Sequence, residues 1–315
     1  ERLVLSHMPH IGSDRECGPS VGLDCAVLDM GGGMRLVLSS DPVTASCEDA
    51  GRLAIQVSCN DIAASGVRPA GIMLVLVVPP DSGEDLISGL MDQAAGAAAD
   101  LGVRIAGGHT EVSGSVNRAM LVTTAFGWTS GEIVQASGAR IGDTLLMTKT
   151  AGIEGTAILA RDHADWLAAR LDGDTIGAAQ AMIRRTGVVE EGLAAAAFGV
   201  HAMHDATEGG ILGAVWELCS ASGAGCRVRI HDIPVHPATT GVAGAFGIDP
   251  LRLISSGSMI LASDHPEGLI AALAAKGIEC TPIGTVERGT CLMERPDGTV
   301  SELDPPEADE LYKTA

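Results

Sequence analysis

Residues 60–78 read NDIAASGVRPAGIMLVLVV and place the end of a helix directly before a strand. Apolar residues recur every four positions up to Asp61, which predicts a helix over 51–65 that the following glycine and proline bring to an end. Residues 72–78 are apolar throughout, as expected of a buried strand. An apolar-faced helix next to a buried strand favours an α/β (α+β) fold.

Asp61 falls on the apolar face of the predicted helix, in line with Leu53 and Val57. A buried carboxylate costs several kilocalories unless it is paired, hydrogen-bonded or bound to a metal. Arg52 and Arg68 are near enough in sequence to pair with it, and a metal ion is the other solution. We favour the metal as the partner of Asp61.

Outward from this stretch, helices and strands mix along the whole chain. In the first half the sequence predicts two hairpin strands between 22 and 40, a helix up to Leu101, and strands over 103–106 and 120–128. A polar turn near residue 140 divides the chain into two domains, 1–140 and 141–315. In the second half the predicted helices are 154–171, 175–186, 190–197, 211–221 and 237–246, and the predicted strands are 144–149, 200–203, 226–230, 257–263 and 278–286.

Composition limits the partners of this 315-residue chain. Its formal net charge is −20 at pH 7, whereas binding to nucleic acid or to an anionic membrane depends on clustered Lys and Arg. The apolar runs are far shorter than the ~20 residues of a membrane-spanning helix. We therefore expect a soluble protein with neither nucleic acid nor membrane as a partner.

Eight cysteines occur without a C-x-x-C pair, mostly within apolar stretches. We interpret them as reduced, buried thiols, which suits a cytoplasmic protein, and no basic-then-apolar leader argues otherwise. Cys59 is interpreted as a packing residue, because a neighbouring carboxylate at Asp61 suppresses the thiolate.

Two further acidic motifs adjoin predicted strands. In Gly107-Gly108-His109-Thr110-Glu111, the glycines let backbone amides approach a ligand, and a ring, a hydroxyl and a carboxylate follow. Asp205-Ala206-Thr207-Glu208-Gly209-Gly210 opens a predicted helix, where amides and the helix dipole favour a phosphate. Carboxylates and hydroxyls among glycines indicate a magnesium and phosphate site that does not use the lysine of a P-loop.

Three more residues have both a functional and an ordinary interpretation. Asp24 and Asp41 are turn residues if taken singly, and metal ligands if they converge with the other carboxylates. Lys149, one of three lysines, follows a predicted strand, from which it reaches a phosphate or simply lies on the surface.

At these residues the chain resembles the aminoimidazole ribonucleotide synthetase (PurM-like) superfamily. The C-terminal half is most similar to the hydrogenase-maturation carbamoyl dehydratase branch. Leu23 replaces an aspartate of the family pattern, and the family's cysteine near the C-terminus has no counterpart after Cys291. The matching segments, in family order, are 22–27, 40–41, 60–69, 107–111 and 205–210.

The resemblance implies an N-terminal ATP- and magnesium-binding domain that dimerises through its sheet into a barrel, and a C-terminal α/β domain. It implies magnesium and phosphate ligands at Asp24, Asp41, Asp61 and Glu111. We expect catalytic roles for Asp61, His109, Glu111 and Glu208, with His109 or Glu208 handling protons. The residues that we expect to bind ATP are Asn60, Gly107, Gly108, Thr110, Lys149, Asp205, Thr207, Gly209 and Gly210.

The function expected from the resemblance is ATP- and magnesium-dependent phosphorylation of an oxygen, such as that of an amide or carboxamide. The substrate would be a small molecule or a carrier-bound group, and dehydration or ring closure would follow in some members. The missing terminal cysteine leads us to expect no thiocyanate formation on the chain's own tail. Two alternatives remain: a nucleotide-binding maturation or scaffold protein that acts through a protein partner, and a metal-dependent hydrolase without ATP.

Overall fold

A computed structural model describes residues 25–43 and 49–314 and contains two β-sheets. The first sheet has the strand order β1-β2-β5-β3-β4, and within it only β3 and β4 run parallel. Its elements are β1 (Ala26–Gly31), β2 (Met34–Val43), α1 (Ala50–Ala64), β3 (Gly71–Val78), α2 (Glu84–Leu101), β4 (Arg104–Val112) and β5 (Met120–Thr129).

The second sheet has seven strands in the order β12-β11-β8-β10-β6-β9-β7, and its helices belong to the same part of the chain. The strands are β6 (Thr144–Thr148), β7 (Ala202–Asp205), β8 (Gly225–Arg229), β9 (Met259–Ser263), β10 (Cys280–Glu287), β11 (Cys291–Glu294) and β12 (Val300–Glu302). The helices are α3 (Ile153–Asp162), α4 (Ala164–Ala168), α5 (Gly173–Ala181), α6 (Val189–Phe198), α7 (Gly210–Ala221), α8 (Pro237–Phe246) and α9 (Pro266–Ala274). Each half therefore mixes strand and helix, as the sequence predicts.

The first sheet is covered by helix on one face only. Alternate residues of β3 such as Leu74 and Leu76 are buried towards α1 and α2, whereas Met73 on the opposite face is 43% exposed. The uncovered face also presents Leu28 and Trp128, which are 49% and 55% exposed. A sheet face this apolar is a candidate interface.

The two halves pack through α1. Gly192 of α6 lies so close to this helix that an added Cβ would be 2.2 Å from the carbonyl oxygen of Ala63. The side chain of Asn60 bridges to the segment before α6: its amide nitrogen donates to Thr186 O, and its oxygen accepts from Val188 N, both at 2.8 Å. The helix predicted from 51–65 thus carries both the contact between the halves and the Asn60-Asp61 pair.

Three elements differ most from their predicted bounds. The strand expected to stop at residue 106 continues through the glycines to Val112, because β3 offers hydrogen-bonding partners over that whole length. The helix expected over 154–171 breaks at His163, and the short helix α4 places Trp166 against Phe246 with ring centroids 4.5 Å apart. The helix expected over 175–186 ends at Ala181 and is followed by a 3-10 turn.

No helix in the described ranges combines the length and apolarity needed to cross a membrane.

Candidate functional site

Two of the predicted ligands, Asp41 and Asp61, lie together on the helix-covered face of the first sheet. The hydroxyl of Ser39 is 3.2 Å from Asp41 Oδ2 and 2.5 Å from Asp61 Oδ2. Ser58 Oγ of α1 lies 3.4 Å from the same Asp41 oxygen. The strand periodicity of β2 places Ser39 and Asp41 on one face, and α1 packs Ser58 and Asp61 against them.

The donor set around these aspartates suits a hard cation. Two carboxylates within about 6 Å of each other repel unless a positive charge lies between them. The arginines considered as partners pair elsewhere: Arg52 with Asp100 at 3.1 Å, and Arg68 with Glu190 at 3.2 Å. Carboxylate and hydroxyl oxygens are the ligands that Mg²⁺ prefers. Asp24, the remaining predicted ligand in this region, lies outside the described residues.

Cys59 behaves as the sequence predicts for a packing residue. Its side chain is fully buried, and burial, with a further contribution from Asp61, raises the pKa of its thiol to about 12. The thiol is therefore neutral at physiological pH and unsuited to nucleophilic attack.

Glu111 does not join Asp41 and Asp61 within one protomer. Glu111 is the register partner of Val77 in β3, whose side chain is on the uncovered face. Asp41 pairs with Thr123 of β5, which in turn pairs with Leu74 of β3, and these residues are on the helix-covered face. Strands β2 and β4 are also three strand spacings apart, about 14 Å. His109 shares the face of Glu111, while Thr110 lies on the other.

The two glycines of the second motif lie within β4 rather than in a loop. An added Cβ at Gly108 would be 1.7 Å from Leu74 O, so the parallel neighbour β3 leaves room for no larger residue. His109, Thr110 and Glu111 are all exposed, since β4 is the edge of its sheet. An exposed edge strand is a surface on which another chain can pair.

Asn60 and Lys149, both predicted to bind ATP, hold one segment from two sides. Lys149 Nζ donates to Gly187 O at 2.5 Å and to Arg185 O at 3.2 Å, and it forms an ion pair with Glu191 at 2.6 Å. Burial lowers the pKa of Lys149, and the Glu191 carboxylate opposes that effect. With Asn60 bound to the same segment, these two side chains fix residues 185–188 between the halves.

The backbone of Lys149 is also unusual. Its φ is 54°, a left-handed conformation that is uncommon for a residue with a side chain. Such strain persists where surrounding contacts hold the residue in place, as the three partners of Lys149 do here.

The third motif lies at the start of α7, where the C-terminal segment covers it. Gly209 N donates to Asp309 Oδ2 at 2.7 Å, and Tyr312 OH donates to Glu208 Oε1 at 2.9 Å. Gly209 and Gly210 both have positive φ, 80° and 63°, which explains the two glycines at this turn. The helix amide predicted for a phosphate thus binds a carboxylate of the same chain.

Asp205 and Thr207 precede that turn. Asp205 is 1% exposed at the end of β7, and Thr207 O accepts hydrogen bonds from Gly210 N and Ser255 N. Both residues are therefore close to the turn in the backbone, but the Asp205 side chain lies in the interior.

Glu154 is an acidic residue of this region that the sequence motifs do not identify. Its side chain is 7% exposed at the start of α3. Burial raises the pKa of Glu154 to about 7, and the nearby charges of Asp309 and Glu208 act in the same direction. A carboxyl group that titrates near neutral pH is a candidate proton donor or acceptor. Its contacts are with residues remote in sequence, so no local pattern could reveal them.

The two-sheet fold, the Asp41–Asp61 pair and the glycine turn at Gly209 define a two-domain α/β protein, and its class follows from comparison with known families. The chain belongs to the AIR synthase related family. Residues 22–129 match the model of its N-terminal domain, and residues 140–291 match that of its C-terminal domain.

The particular relatives are hydrogenase-maturation proteins. The chain is 28% identical over 277 residues to carbamoyl dehydratase HypE of Cupriavidus necator, covering 84% of this chain and 77% of the relative. It superposes on the crystal structure of E. coli HypE with a TM-score of 0.80 at 26% identity, covering 96% of both chains.

Two further solved structures share the fold at lower identity. One is HypE in complex with ATP, with a TM-score of 0.72, 23% identity, and coverage of 93% of this chain and 90% of that one. The other is the HypE–HypF complex, with a TM-score of 0.75, 23% identity, and coverage of 90% and 93%. The resemblance seen in the sequence motifs and the two-domain PurM-like fold it implied are confirmed.

Proposed function

We propose that this chain is an ATP- and magnesium-dependent enzyme that phosphorylates an oxygen atom of a small molecule or carrier-bound group, such as an amide or carboxamide. The observation that carries the proposal is the pair of carboxylates, Asp41 and Asp61, held on the single hydroxyl of Ser39. Relatives named as dehydratases, and a solved relative in complex with ATP, support an enzyme that uses this nucleotide.

In this proposal Asp41 and Asp61 would hold magnesium, which would supply positive charge to the phosphate oxygens. Phosphoryl transfer depends mainly on positioning and charge stabilisation, so the fixed geometry of β2 and α1 is the protein's contribution. Ser39 orients Asp61 by donating to its Oδ2 oxygen.

Protons would be handled in the second half of the chain. Glu208 is exposed at the turn before α7, and Glu154 is buried near it with a pKa of about 7. A substrate group next to Glu208 would therefore have an exposed carboxylate and a buried group able to exchange a proton at neutral pH.

The proposal includes a homodimer in which each protomer completes the site of the other. The separation within one protomer supports this: Glu111 lies on the uncovered face of the sheet, whereas Asp61 lies on α1, which packs against the opposite face. The face that carries Glu111 is uncovered and apolar, with Met73 and Trp128 exposed, and β4 is an edge strand. Closing that face against a second copy would bury it and place Glu111 at the contact between the two copies.

We place this enzyme in the cytoplasm. Cys59, Cys219, Cys226, Cys280 and Cys291 are free thiols, which suits a reducing compartment.

The test is ATP binding measured by calorimetry with and without magnesium. Replacing Asp61 by Asn keeps an acceptor for Ser39 but removes the charge, so we expect magnesium-dependent binding to weaken about 100-fold or more. Asp100→Asn is the matched control, since Asp100 is an exposed aspartate that pairs only on the surface with Arg52. Equal binding by Asp61→Asn and wild type would contradict the assignment.

A second candidate is a nucleotide-binding protein without turnover that acts through a protein partner. The HypE–HypF complex favours it, because a chain of the same fold binds another protein there. Magnesium-dependent ATP binding without ADP formation across a broad set of amides and carboxylates would support this candidate. ADP formation with any member of that set would exclude it.

A further inference from the structure

Three cysteines that are far apart in sequence converge in the second half of the chain. The sulfur atoms of Cys219, Cys226 and Cys291 all lie within 4.8 Å of one another. Cys219 and Cys226 are fully buried, and Cys291 is 6% exposed. They lie within an apolar cluster that includes Val215 and Val286.

A turn between α7 and β8, and the pairing of β8 with β11, bring these thiols together. Cys219 is in the last turns of α7, and a tight turn closed by the hydrogen bond from Ala224 N to Cys219 O leads into β8. Cys291 begins β11 and is the register partner of Cys226 in the parallel pair with β8. An added Cβ at Gly225 would be 2.3 Å from Thr290 O, so a glycine is needed for β11 to approach β8 this closely.

The cluster is separate from the candidate nucleotide site. Cys219 lies nine residues beyond Gly210 on the same helix, so the two are about 14 Å apart along its axis. Among residues with described positions, no histidine or carboxylate joins the three thiols as a fourth ligand.

We propose that Cys219, Cys226 and Cys291 form a binding site for a single soft, monovalent metal ion, Cu(I). Thiolate sulfur is the ligand that such an ion prefers. With metal–sulfur bonds of about 2.3 Å, a trigonal site has sulfur atoms about 4 Å apart, which requires only small movements from the observed arrangement.

Ligand number and charge favour Cu(I) over zinc. Structural zinc sites are almost always four-coordinate, whereas this cluster offers three sulfurs and an apolar surrounding. A monovalent ion is neutralised by one thiolate, so it carries the smaller cost of charge burial. One thiol must release its proton as the ion binds, and the other two remain neutral sulfur ligands, so affinity should rise with pH.

The experiment is an anaerobic Cu(I) titration of the full chain in competition with the chromogenic chelator bicinchoninate. We expect the wild type to bind one more equivalent of Cu(I) than Cys291→Ala, which lacks the least buried of the three thiols. Cys219→Ser and Cys226→Ser should show the same loss of about 100-fold or more in affinity. Cys280→Ala is the matched control, because Cys280 is a thiol in the same sheet outside the cluster, and it should bind as the wild type does.

Thermal unfolding checks that the variants are folded and gives a second readout. Cu(I) should raise the Tm of the wild type and of Cys280→Ala, but not that of Cys291→Ala. Unchanged Cu(I) affinity in all three cluster variants would overturn the proposal. So would tight binding of Zn(II) without Cu(I), or the finding that two cluster thiols of the purified chain form a disulfide that only reductant opens.

Discussion

The separation of Asp61 and Glu111 within one protomer predicts how paired variants will behave in a dimer. Glu111 lies on the uncovered face of the sheet, whereas Asp61 belongs to α1, which packs on the opposite face. Strand β4, which carries Glu111, is also about 14 Å from β2, which carries Asp41. If each site takes Asp61 from one protomer and Glu111 from the other, Asp61→Asn and Glu111→Gln homodimers both lose magnesium-dependent ATP binding. A heterodimer with one substitution in each protomer then keeps one of its two sites intact, so it should bind about half as much ATP per dimer as the wild type.

Two affinity tags on co-expressed chains allow that heterodimer to be purified, and calorimetry counts its ATP sites. The matched control places both substitutions in one protomer and none in the other. The shared-site account expects about one site per dimer in the first arrangement and none in the second. The opposite result, no site in the first and one in the second, would show that each protomer binds alone. Wild-type binding by the Glu111→Gln homodimer would remove Glu111 from the site altogether.

Three further predictions concern stability and are measured by urea unfolding. Asn60→Ala leaves the buried partners Thr186 O and Val188 N without their hydrogen bonds to this side chain, so it should lower the free energy of unfolding by about 2–4 kcal/mol. The control is Asn117→Ala, at the chain's other asparagine, which is exposed and should change that free energy by less than about 0.5 kcal/mol. Equal effects would refute the bridging role of Asn60. The pKa of Glu154 is raised from 4.5 to about 7 in the folded state, so the stability that this group contributes at low pH is lost as the pH rises through that range. The free energy of unfolding of Glu154→Gln should therefore equal that of the wild type near pH 4.5 and exceed it by about 3 kcal/mol at pH 8. Parallel pH profiles of the two proteins would contradict this. Gly192→Ala forces a Cβ against α1 and should destabilise the protein by about 1–3 kcal/mol. Gly177→Ala changes a helical glycine with open space around it and should stabilise the protein by about 0.4–1 kcal/mol. A change of the same sign in both variants would count against the close helix contact.

Local sequence pattern was sufficient for most of the fold. The four-residue apolar spacing up to Asp61 and the apolar run 72–78 predict α1 and β3 because helix and strand periodicity depend on near neighbours. The bounds were wrong where tertiary contact decided them. The edge of β3 extends β4 past its glycines, and packing against Phe246 turns the chain at His163.

The candidate site divides in the same way. The motifs identified Asp41 and Asp61, and the structure brings them onto Ser39. The Asn60 bridge joins residues more than 120 positions apart, and the Gly209–Asp309 contact joins residues 100 positions apart. No local pattern encodes such contacts. For the same reason, eight scattered cysteines gave no sign that three of them converge.

The central claim is that Asp41 and Asp61 hold magnesium and the phosphates of ATP. A crystal structure of the chain with magnesium and a non-hydrolysable ATP analogue tests it most directly. We expect density for a cation bound to the carboxylate oxygens of Asp41 and Asp61, with the triphosphate bound to that cation. Nucleotide bound elsewhere with these two carboxylates free of metal would contradict it.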